Sequence, residues 1–311
     1  MATEAVDRLE HEGFAYYRRV LAHARSRTAP VLFLGGAFQD MRSWRRHESV
    51  FRRHTTVVTL DLPGYGMADE LPAHHGIDFL AVAAHHAMRT AGFERYDLVG
   101  VSYGALVAHR LAQRYGSDVV RSLVLTGAAD PRQPLREEEV AALRHFTDLL
   151  KASDVESFAR MAVDHLSPAC PPGPVHRHAA VRRMVHGALV RVPRQARSKI
   201  ISNTRRLYTS QVSYDGPLPD TPTLVCTGEF DTLTPPEGGR RLATAYPRGT
   251  CVTIAETDHL SFVQRDREYA QLLLTHFRGE DCARLPYCRR LPHTHDGPRP
   301  GVPAASAHPA A

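Results

Sequence analysis

The stretch YDLVGVSYGALVAHRLAQRYG, residues 96–116, changes character at its centre. A short apolar run typical of a buried strand gives way to residues that favour a helix, and the pentapeptide GVSYG, residues 100–104, lies between them. Glycine has no Cβ, so Gly100 and Gly104 permit a tight turn with the serine in a strained backbone conformation. The pattern predicts a strand, a sharp turn and a helix, with the Ser102 hydroxyl exposed above a sheet.

Short apolar runs alternate with helical patterns on both sides of this stretch. The runs rich in Val, Ile, Leu and Thr are predicted strands, at residues 31–34, 56–60, 96–101, 119–126, 223–227 and 250–255. Helical spacing is found at residues 41–53, 78–92, 105–115 and 265–277. Strands separated by helices pair in parallel, so the sequence predicts an α/β fold with a mostly parallel, doubly wound sheet. Residues 13–21 fit either a helix or a leading antiparallel strand.

Two intervals depart from this alternation. Residues 131–217 contain no convincing strand pattern and are predicted to form a helical cap inserted into the core. The core itself is then divided into residues 1–130 and 218–280. Residues 281–311 are rich in Pro, Ala and His without an apolar period, and are predicted to be a disordered tail.

Composition limits the classes of function. The chain has 311 residues, 43% of them hydrophobic, but no run of about eighteen apolar residues and no apolar segment of the signal-peptide kind. These features predict a cytoplasmic protein without a membrane partner. The net charge is +6, yet the 39 cationic residues are scattered and include only two lysines. Such an arginine bias is typical of a GC-rich bacterial genome, so no nucleic-acid partner is predicted.

The cysteines point to neither disulfides nor a metal centre. There are five, an odd number, and their spacing matches no disulfide framework, so a reducing compartment is expected. Cys282 and Cys288 precede His293 and His295, but this spacing matches no usual zinc pattern. No metal and no other cofactor is predicted.

Partners for the elbow serine occur later in the chain. A serine hydroxyl becomes a good nucleophile only when a base takes its proton, and that base must be oriented by an acid. The segment GEFDTLTP places Asp231 after one predicted strand, and ETDHLSF places His259 after the next. Asp130, in TGAAD at the end of the strand at residues 119–126, is a rival for the acid. Asp231 could also be a simple turn residue.

The motifs LVGVSYGA, LVCTGEFDTLTPP, ETDHLSF and VVTLDLPGYGMAD together resemble the α/β-hydrolase superfamily, over residues 31–277 or so. The last of them matches the D-x-P-G-x-G segment common in that superfamily. The resemblance implies an α/β-hydrolase fold with a helical cap. It also implies that Ser102 is the nucleophile, that His259 is the general base and then acid, and that Asp231 orients the imidazole.

The same resemblance implies an oxyanion hole made of two backbone N–H groups. One is that of Tyr103, whose ring we also expect to line the pocket. The other comes from the loop FLGGAFQD, where Ala37 is the inferred donor and Phe38 the alternative. Relatives commonly have His-Gly where this chain has Gly35-Gly36, so the loop lacks its usual side-chain anchor.

The expected reaction is hydrolysis of an ester, lactone or thioester of a medium-sized, partly apolar substrate, either a small molecule or a carrier-bound acyl group. Resemblance and composition together suggest a tailoring enzyme of bacterial secondary metabolism. The Arg- and His-rich residues 176–200 fit a solvated helical face or a grip for an anionic group. Two alternatives stay open: a non-hydrolytic reaction such as elimination, acyl transfer or carbon–carbon cleavage, and a small-molecule receptor on a hydrolase scaffold. The sequence does not predict an oligomeric state.

Overall fold

The computed structural model describes residues 3–23, 26, 28–129, 135–209 and 216–291. The strands are β1 (Thr3–His11), β2 (Phe14–Ala22), β3 (Val31–Leu34), β4 (Val57–Asp61), β5 (Tyr96–Val101), β6 (Val120–Thr126), β7 (Thr223–Gly228), β8 (Gly249–Ile254) and β9 (Cys288–Arg290). The helices are α1 (Arg45–Phe51), α2 (Ile77–Arg89), α3 (Tyr103–Val119), α4 (Glu137–Lys151), α5 (Val155–Leu166), α6 (His178–Leu189), α7 (Arg194–Thr209), α8 (Pro236–Ala245), α9 (Ser261–Gln264) and α10 (Asp266–Phe277).

The described strands form one nine-stranded sheet in the order β1-β2-β4-β3-β5-β6-β7-β8-β9. Strands β3 to β8 are parallel, whereas β1, β2 and β9 pair in the antiparallel sense at the two edges. The predicted α/β class with a mostly parallel sheet is confirmed. Because the carboxyl ends of parallel strands meet at one edge, the loops after β3, β4, β5, β7 and β8 lie close together.

Alternate residues of the central strands point into two apolar layers, one on each face of the sheet. Leu32, Leu98 and Leu125 point to the layer that contains α2, α3 and α8. Phe33 and Val99 point to the opposite layer, with α1 and α10. Trp44 and Met41, which lead into α1, are each 1% exposed. The strands of the parallel region are therefore covered on both faces, which explains their continuous apolar sequence.

The N-terminal strand pair resolves the ambiguity at residues 13–21 in favour of a strand. Strand β2 pairs with β1 through a turn at Glu12 and Gly13, which both have positive φ, 48° and 83°. A two-residue hairpin turn of this kind needs positive φ at both central positions. Strand β1 had no counterpart among the predicted strands.

Helices α4 to α7 lie between β6 and β7, inside the interval predicted as the cap. They share an apolar cluster of their own, to which Phe146, Phe158 and Leu189 contribute. The borders of that interval, residues 130–134 and 210–215, lie outside the described residues. Within the described ranges, no helix is both long and apolar enough to cross a membrane.

The predicted disordered tail is wrong for its first eleven residues, 281–291. Residues Cys282–Arg284 form a 3-10 helix, and β9 pairs with β8. Cys282 and Cys288 are only 6% and 7% exposed, because they pack into the apolar layer beside α10. This burial overcomes a composition that otherwise disfavours order. Residues 292–311, including His293 and His295, lie outside the described part of the chain.

Candidate active site

The turn between β5 and α3 holds Ser102 at φ 53° and ψ −116°. This is a strained conformation for a residue with a side chain. A Cβ on Gly100 would lie 2.4 Å from the carbonyl oxygen of Gly104, and a Cβ on Gly104 would lie 2.3 Å from that of Leu34. Both positions therefore require glycine, and the helix packs closely against the sheet as the sequence pattern predicts.

The structure brings Ser102, His259 and Asp231 together from three separate loops. The Nε2 atom of His259 lies 3.0 Å from the Ser102 hydroxyl oxygen, and Nδ1 lies 2.9 Å from a carboxylate oxygen of Asp231. The histidine and the aspartate are each 3% exposed, whereas the serine is half-buried. The residues predicted to be nucleophile, base and orienting acid are thus within hydrogen-bond reach of one another.

The Asp231 carboxylate is fixed by its own loop. It accepts hydrogen bonds from the backbone N–H groups of Leu233 and Thr234 at 2.9 and 2.8 Å. The hydroxyls of Thr234 and Thr227 donate to it at 2.7 and 3.0 Å. The two backbone donors to Oδ1 are typical of a turn residue. The two hydroxyl donors reach Oδ2, the oxygen that faces His259, and a residue that only shaped a turn would not need them. The rival acid, Asp130, lies outside the described residues.

Asp231 and His259 each stabilise the charged form of the other. Burial alone would lower the pKa of His259, but the Asp231 carboxylate outweighs it and the pKa is raised above the ordinary value of 6.5. Burial would raise the pKa of Asp231, but His259 and Thr234 hold it below its ordinary value. The imidazole is therefore a stronger base than a free histidine, and the carboxylate stays ionised.

Space for the imidazole is made at the end of β6. Gly127 has a φ of 55°, and a Cβ at this position would lie 2.9 Å from Cε1 of His259. A side chain here would push the ring out of line with Ser102. The glycine of TGAAD therefore has a steric role at the site.

The loop after β3 has an anchor that the sequence analysis missed. The side-chain oxygen of Gln39 accepts a hydrogen bond from the N–H of Gly36 at 2.7 Å, and the Gln39 N–H donates to the Gly36 carbonyl at 3.1 Å. A Cβ on Gly36 would lie 3.5 Å from the Cβ of Ser102, so the loop passes directly over the elbow. Gln39 thus closes the loop that carries Ala37, in place of the absent histidine.

The neighbouring loop, DLPGYGMAD, is tied to the same region by Asp61. Its carboxylate accepts the N–H of Met41 at 2.7 Å and the N–H of Met67 at 2.9 Å. A Cβ on Gly66 would overlap this carboxylate at 2.1 Å. The acid and the last glycine of the D-x-P-G-x-G motif therefore join the loops after β3 and β4.

Tyr103 lies beneath the cap, 3% exposed, and lines a small cavity together with Tyr65 and Gln39. Its hydroxyl accepts a hydrogen bond from Arg206 of α7 at 3.3 Å, and its ring packs edge-on against Tyr65 at 5.7 Å. The backbone N–H of Tyr103 begins α3, directly after Ser102. The residue that follows the serine is thus held from above by the cap.

The cap also approaches the acid loop. A cavity of about 280 Å³ separates α4 and α5 from the loop after β7, and it is lined by Arg136, Glu138, Glu139, Ala142, Asp164, His165, Thr232 and Leu233. Burial first, and then the nearby His259 ring, lower the pKa of His165. Phe38 extends from the loop after β3 to stack edge-on against Phe158 of α5. The site therefore lies between sheet and cap.

Several arginines of the cap make their contacts within the protein itself. Arg177 pairs with Asp266 at 3.7 Å, and Arg182 pairs with Asp164 at 2.6 Å. Arg206 is fully buried. Within the described ranges, no group of three His, Cys, Asp or Glu residues is arranged to hold a metal ion.

The chain belongs to the α/β-hydrolase fold family, whose sequence profile matches residues 29–266. Among curated proteins it is similar to a fluoroacetate dehalogenase of Burkholderia sp., 36% identical over 100 residues, which are 30% of this chain and 33% of that protein. It is also similar to epoxide hydrolase 4 of Mus musculus, 26% identical over 157 residues, 49% of this chain and 41% of that protein. These matches thus span less than half of the relatives' length.

Solved structures extend the likeness over most of the chain. The enol-lactonase from Burkholderia xenovorans LB400 superposes with a TM-score of 0.72 at 17% identity, covering 88% of this chain and 100% of that one. An esterase from Exiguobacterium antarcticum gives 0.72 at 19% identity, covering 89% and 100%. At these identities the likeness is one of fold.

Proposed function

We propose that the protein is a serine hydrolase that cleaves an ester, lactone or thioester through an acyl-enzyme. The observation that carries this proposal is the chain of contacts from Ser102 through His259 to Asp231, at 3.0 and 2.9 Å. The strained turn at the serine and the raised pKa of the histidine add to it. A binding protein would need neither an activated hydroxyl nor a buried base and acid.

In the first half-reaction, the Ser102 oxygen attacks the acyl carbon and its proton moves to Nε2 of His259. The carbonyl oxygen becomes an oxyanion, which the N–H groups of Tyr103 and Ala37 stabilise; such a donor is worth about 2.7 to 4 kcal/mol. The intermediate collapses as the bond to the leaving alcohol or thiol breaks. That leaving group takes the proton from His259, and the acyl group stays on Ser102 as an ester.

In the second half-reaction, water attacks the acyl-serine ester. His259 takes a proton from the water and returns it to the Ser102 oxygen as the acid is released. Asp231 stabilises the imidazolium that forms in each step and keeps the ring in one orientation. The cycle needs no metal, redox or organic cofactor.

The identity of the nucleophile favours acyl carbon over saturated carbon. If Ser102 displaced a halide or opened an epoxide, it would become an alkyl ether, which water does not readily cleave. Attack on an acyl carbon instead leaves an ester, which the same base can hydrolyse. Although two curated relatives are named as a dehalogenase and an epoxide hydrolase, the elbow serine therefore supports an acyl substrate here.

The cap supports a medium-sized, partly apolar substrate, either a small molecule or an acyl group on a carrier. Phe38 and Phe158 provide apolar surface near the loop after β3. The cavity beside Thr232 and Leu233 gives room of about 280 Å³ and is lined mostly by charged and polar side chains, which fits the polar part of such a substrate. Pockets of this size hold small organic ligands. We expect the substrate to reach Ser102 from this cavity, beneath α4 and α5, so that the cap selects by size.

The first test is intact-protein mass spectrometry after treatment with a fluorophosphonate, together with turnover of p-nitrophenyl esters from acetate to decanoate. We expect one adduct on the wild type and on Ser198→Ala, a matched serine on the cap surface, but none on Ser102→Ala. Ser102→Ala should also lose about 10⁴- to 10⁶-fold in kcat. A folded wild-type protein without an adduct would contradict the proposal, while an adduct without ester turnover would exclude these simple esters as substrates.

A further inference from the structure

The residue before His259 is a second buried carboxylate that the reaction above does not use. Asp258 is 0% exposed. One of its carboxylate oxygens accepts from the Leu260 N–H at 2.9 Å and from the Gln264 side-chain amide at 2.7 Å. The other accepts from the Ser167 hydroxyl at 2.5 Å. All three donors are uncharged, so the carboxylate is satisfied by hydrogen bonds and not by an ion pair.

A carboxylate in this setting is costly, since burial of a charge without a cation is unfavourable even when hydrogen bonds are made. No arginine or lysine within the described ranges is found in contact with Asp258. An asparagine would fit the same space without the charge. The charge of Asp258 therefore calls for a function in its surroundings. The next residue in the chain is His259, whose imidazole such a charge can influence.

The Ser167 end of this contact belongs to the cap. Ser167 ends α5, is 0% exposed, and has its carbonyl bonded by the Arg182 side chain of α6. The imidazole of His178, also on α6, lies 3.0 Å from the next carbonyl, that of Pro168. Ser167 is thus held in place from within the cap, rather than by the loop that it contacts.

A second contact joins the same two regions. The N–H of His176, in the cap segment that leads to α6, donates to the Glu256 carbonyl at 2.7 Å. Val181 of α6 packs in one apolar cluster with Leu260 and Phe262, just beyond the catalytic loop. The cap therefore contacts the loop that carries His259 both before and after the histidine.

From these contacts we propose that Asp258 is a positioning residue for His259, and that the cap completes its hydrogen bonding through Ser167. The inference rests on the proposed function, in which His259 is the base. Ser167 and Gln264 donate to different oxygens of the carboxylate and so hold the backbone on which His259 stands.

The charge of Asp258 has an effect that geometry alone would not have. Two carboxylates, Asp231 and Asp258, raise the pKa of His259 against burial. His165 also faces the imidazole, and its own pKa is lowered by burial and then by His259. His259 must be neutral to accept the serine proton, so activity falls as the pH drops through its pKa. The acid limb of the wild-type profile is therefore expected above pH 6.5, the ordinary value for histidine.

The test of the charge is Asp258→Asn, measured as the pH dependence of kcat/KM and of fluorophosphonate inactivation. Removal of the negative charge lowers the pKa of His259, so the acid limb should move to lower pH. Looser placement of the base should lower kcat/KM by about 10- to 100-fold. Asp148→Asn, at an exposed cap position, is the matched control and should change neither quantity.

The test of the cap contact is Ser167→Ala, with Ser167→Thr to restore a hydroxyl and Ser198→Ala as a control on the cap surface. We expect Ser167→Ala to lower kcat/KM by about tenfold, Ser167→Thr to regain most of the loss, and Ser198→Ala to match the wild type. The double variant with Asp258→Asn should lose less than the product of the two single losses, because the two side chains share one contact.

The outcomes separate this inference from the function on which it rests. A wild type that fluorophosphonate does not label would reject both the base role of His259 and its positioning by Asp258. A labelled wild type with an unmoved acid limb in folded Asp258→Asn would reject only the positioning role. If Asp258→Asn does not fold, an unchanged kcat/KM in Ser167→Ala, or an equal loss in Ser167→Ala and Ser167→Thr, would still reject the cap contact.

Discussion

The sheet and the cap hold their parts of the site by different forces. At the sheet, the elbow is fixed by backbone atoms in close contact, since a Cβ on Gly100 would lie 2.6 Å from the Cβ of Ala108 as well. At the cap, α7 is fixed by polar side chains that reach the carbonyls after β4. Lys199 donates to Gly66 and Ala68 at 2.9 and 2.5 Å.

Arg206, also on α7, is the clearest example of attachment by a polar side chain. Its side chain donates to the carbonyls of Leu71, Pro72 and His75, to Asn203 and to the Tyr103 hydroxyl. All of its N–H groups are used although it is fully buried. The atoms of the proposed active site thus belong to a sterically locked frame around Gly100 and Gly104, whereas α7 of the cap is attached by individual polar contacts that can be removed one at a time.

The largest effect on turnover should come from a change at the sheet side of the site, in Asp231. In Asp231→Asn, the amide cannot stabilise an imidazolium, and it favours the wrong histidine tautomer, so kcat should fall by about 10⁴-fold while the fold is kept. Ester turnover and circular dichroism measure the two quantities. Asp130→Asn, at the rival acid, should stay within about threefold of the wild type; the reverse ranking of the two variants would transfer the acid role to Asp130.

A smaller effect on turnover should come from the loop after β3, which lies between the sheet and the cap. Gln39→Ala removes the acceptor for the Gly36 N–H and frees the loop that carries Ala37. A misplaced oxyanion donor should lower kcat by about 10- to 100-fold with little change in KM, because the donor acts mainly on the transition state. Steady-state kinetics with one p-nitrophenyl ester decides this. A rise in KM at constant kcat would indicate that Gln39 shapes the pocket instead.

The smallest effect on turnover should come from the cap attachment. Arg206→Leu leaves several buried acceptors without a donor, so the free energy of unfolding should fall by about 2 to 4 kcal/mol in a urea titration. The Ser102 chain of contacts lies outside α7, so fluorophosphonate labelling should persist. Arg205→Leu, the exposed neighbour on the same helix, should be neutral in both assays. Loss of labelling in a folded Arg206→Leu protein would mean that the cap holds the elbow itself in place.

The sequence predicted most of the sheet because its central strands are covered on both faces. Such strands are continuously apolar, and the helices between them leave few alternative topologies. The relation of Ser102, Asp231 and His259 followed from chain order, since loops at the carboxyl ends of parallel strands must converge. The family resemblance then assigned roles that spacing by itself leaves open.

The parts that were missed depend on pairing or on long-range contacts. Strand β1 is an exposed edge strand rich in charged residues, and only the Glu12-Gly13 turn marks its hairpin. Strand β9 has three residues, so its order comes from burial of Cys288 rather than from a pattern. Gln39 and Ser167 act on atoms elsewhere in the chain. No local signal could have identified the contact between Ser167 and Asp258, which are 91 residues apart.

The burial of the cysteines has a practical consequence. Cys226, Cys251, Cys282 and Cys288 are buried, and burial raises the pKa of each thiol, whereas Cys170 is exposed. A thiol-directed dye therefore reacts first at Cys170, since thiolate character and access govern the rate. This residue lies between α5 and α6, three positions after Ser167. The native chain thus offers a single fluorescence reporter on the cap, without any engineered cysteine.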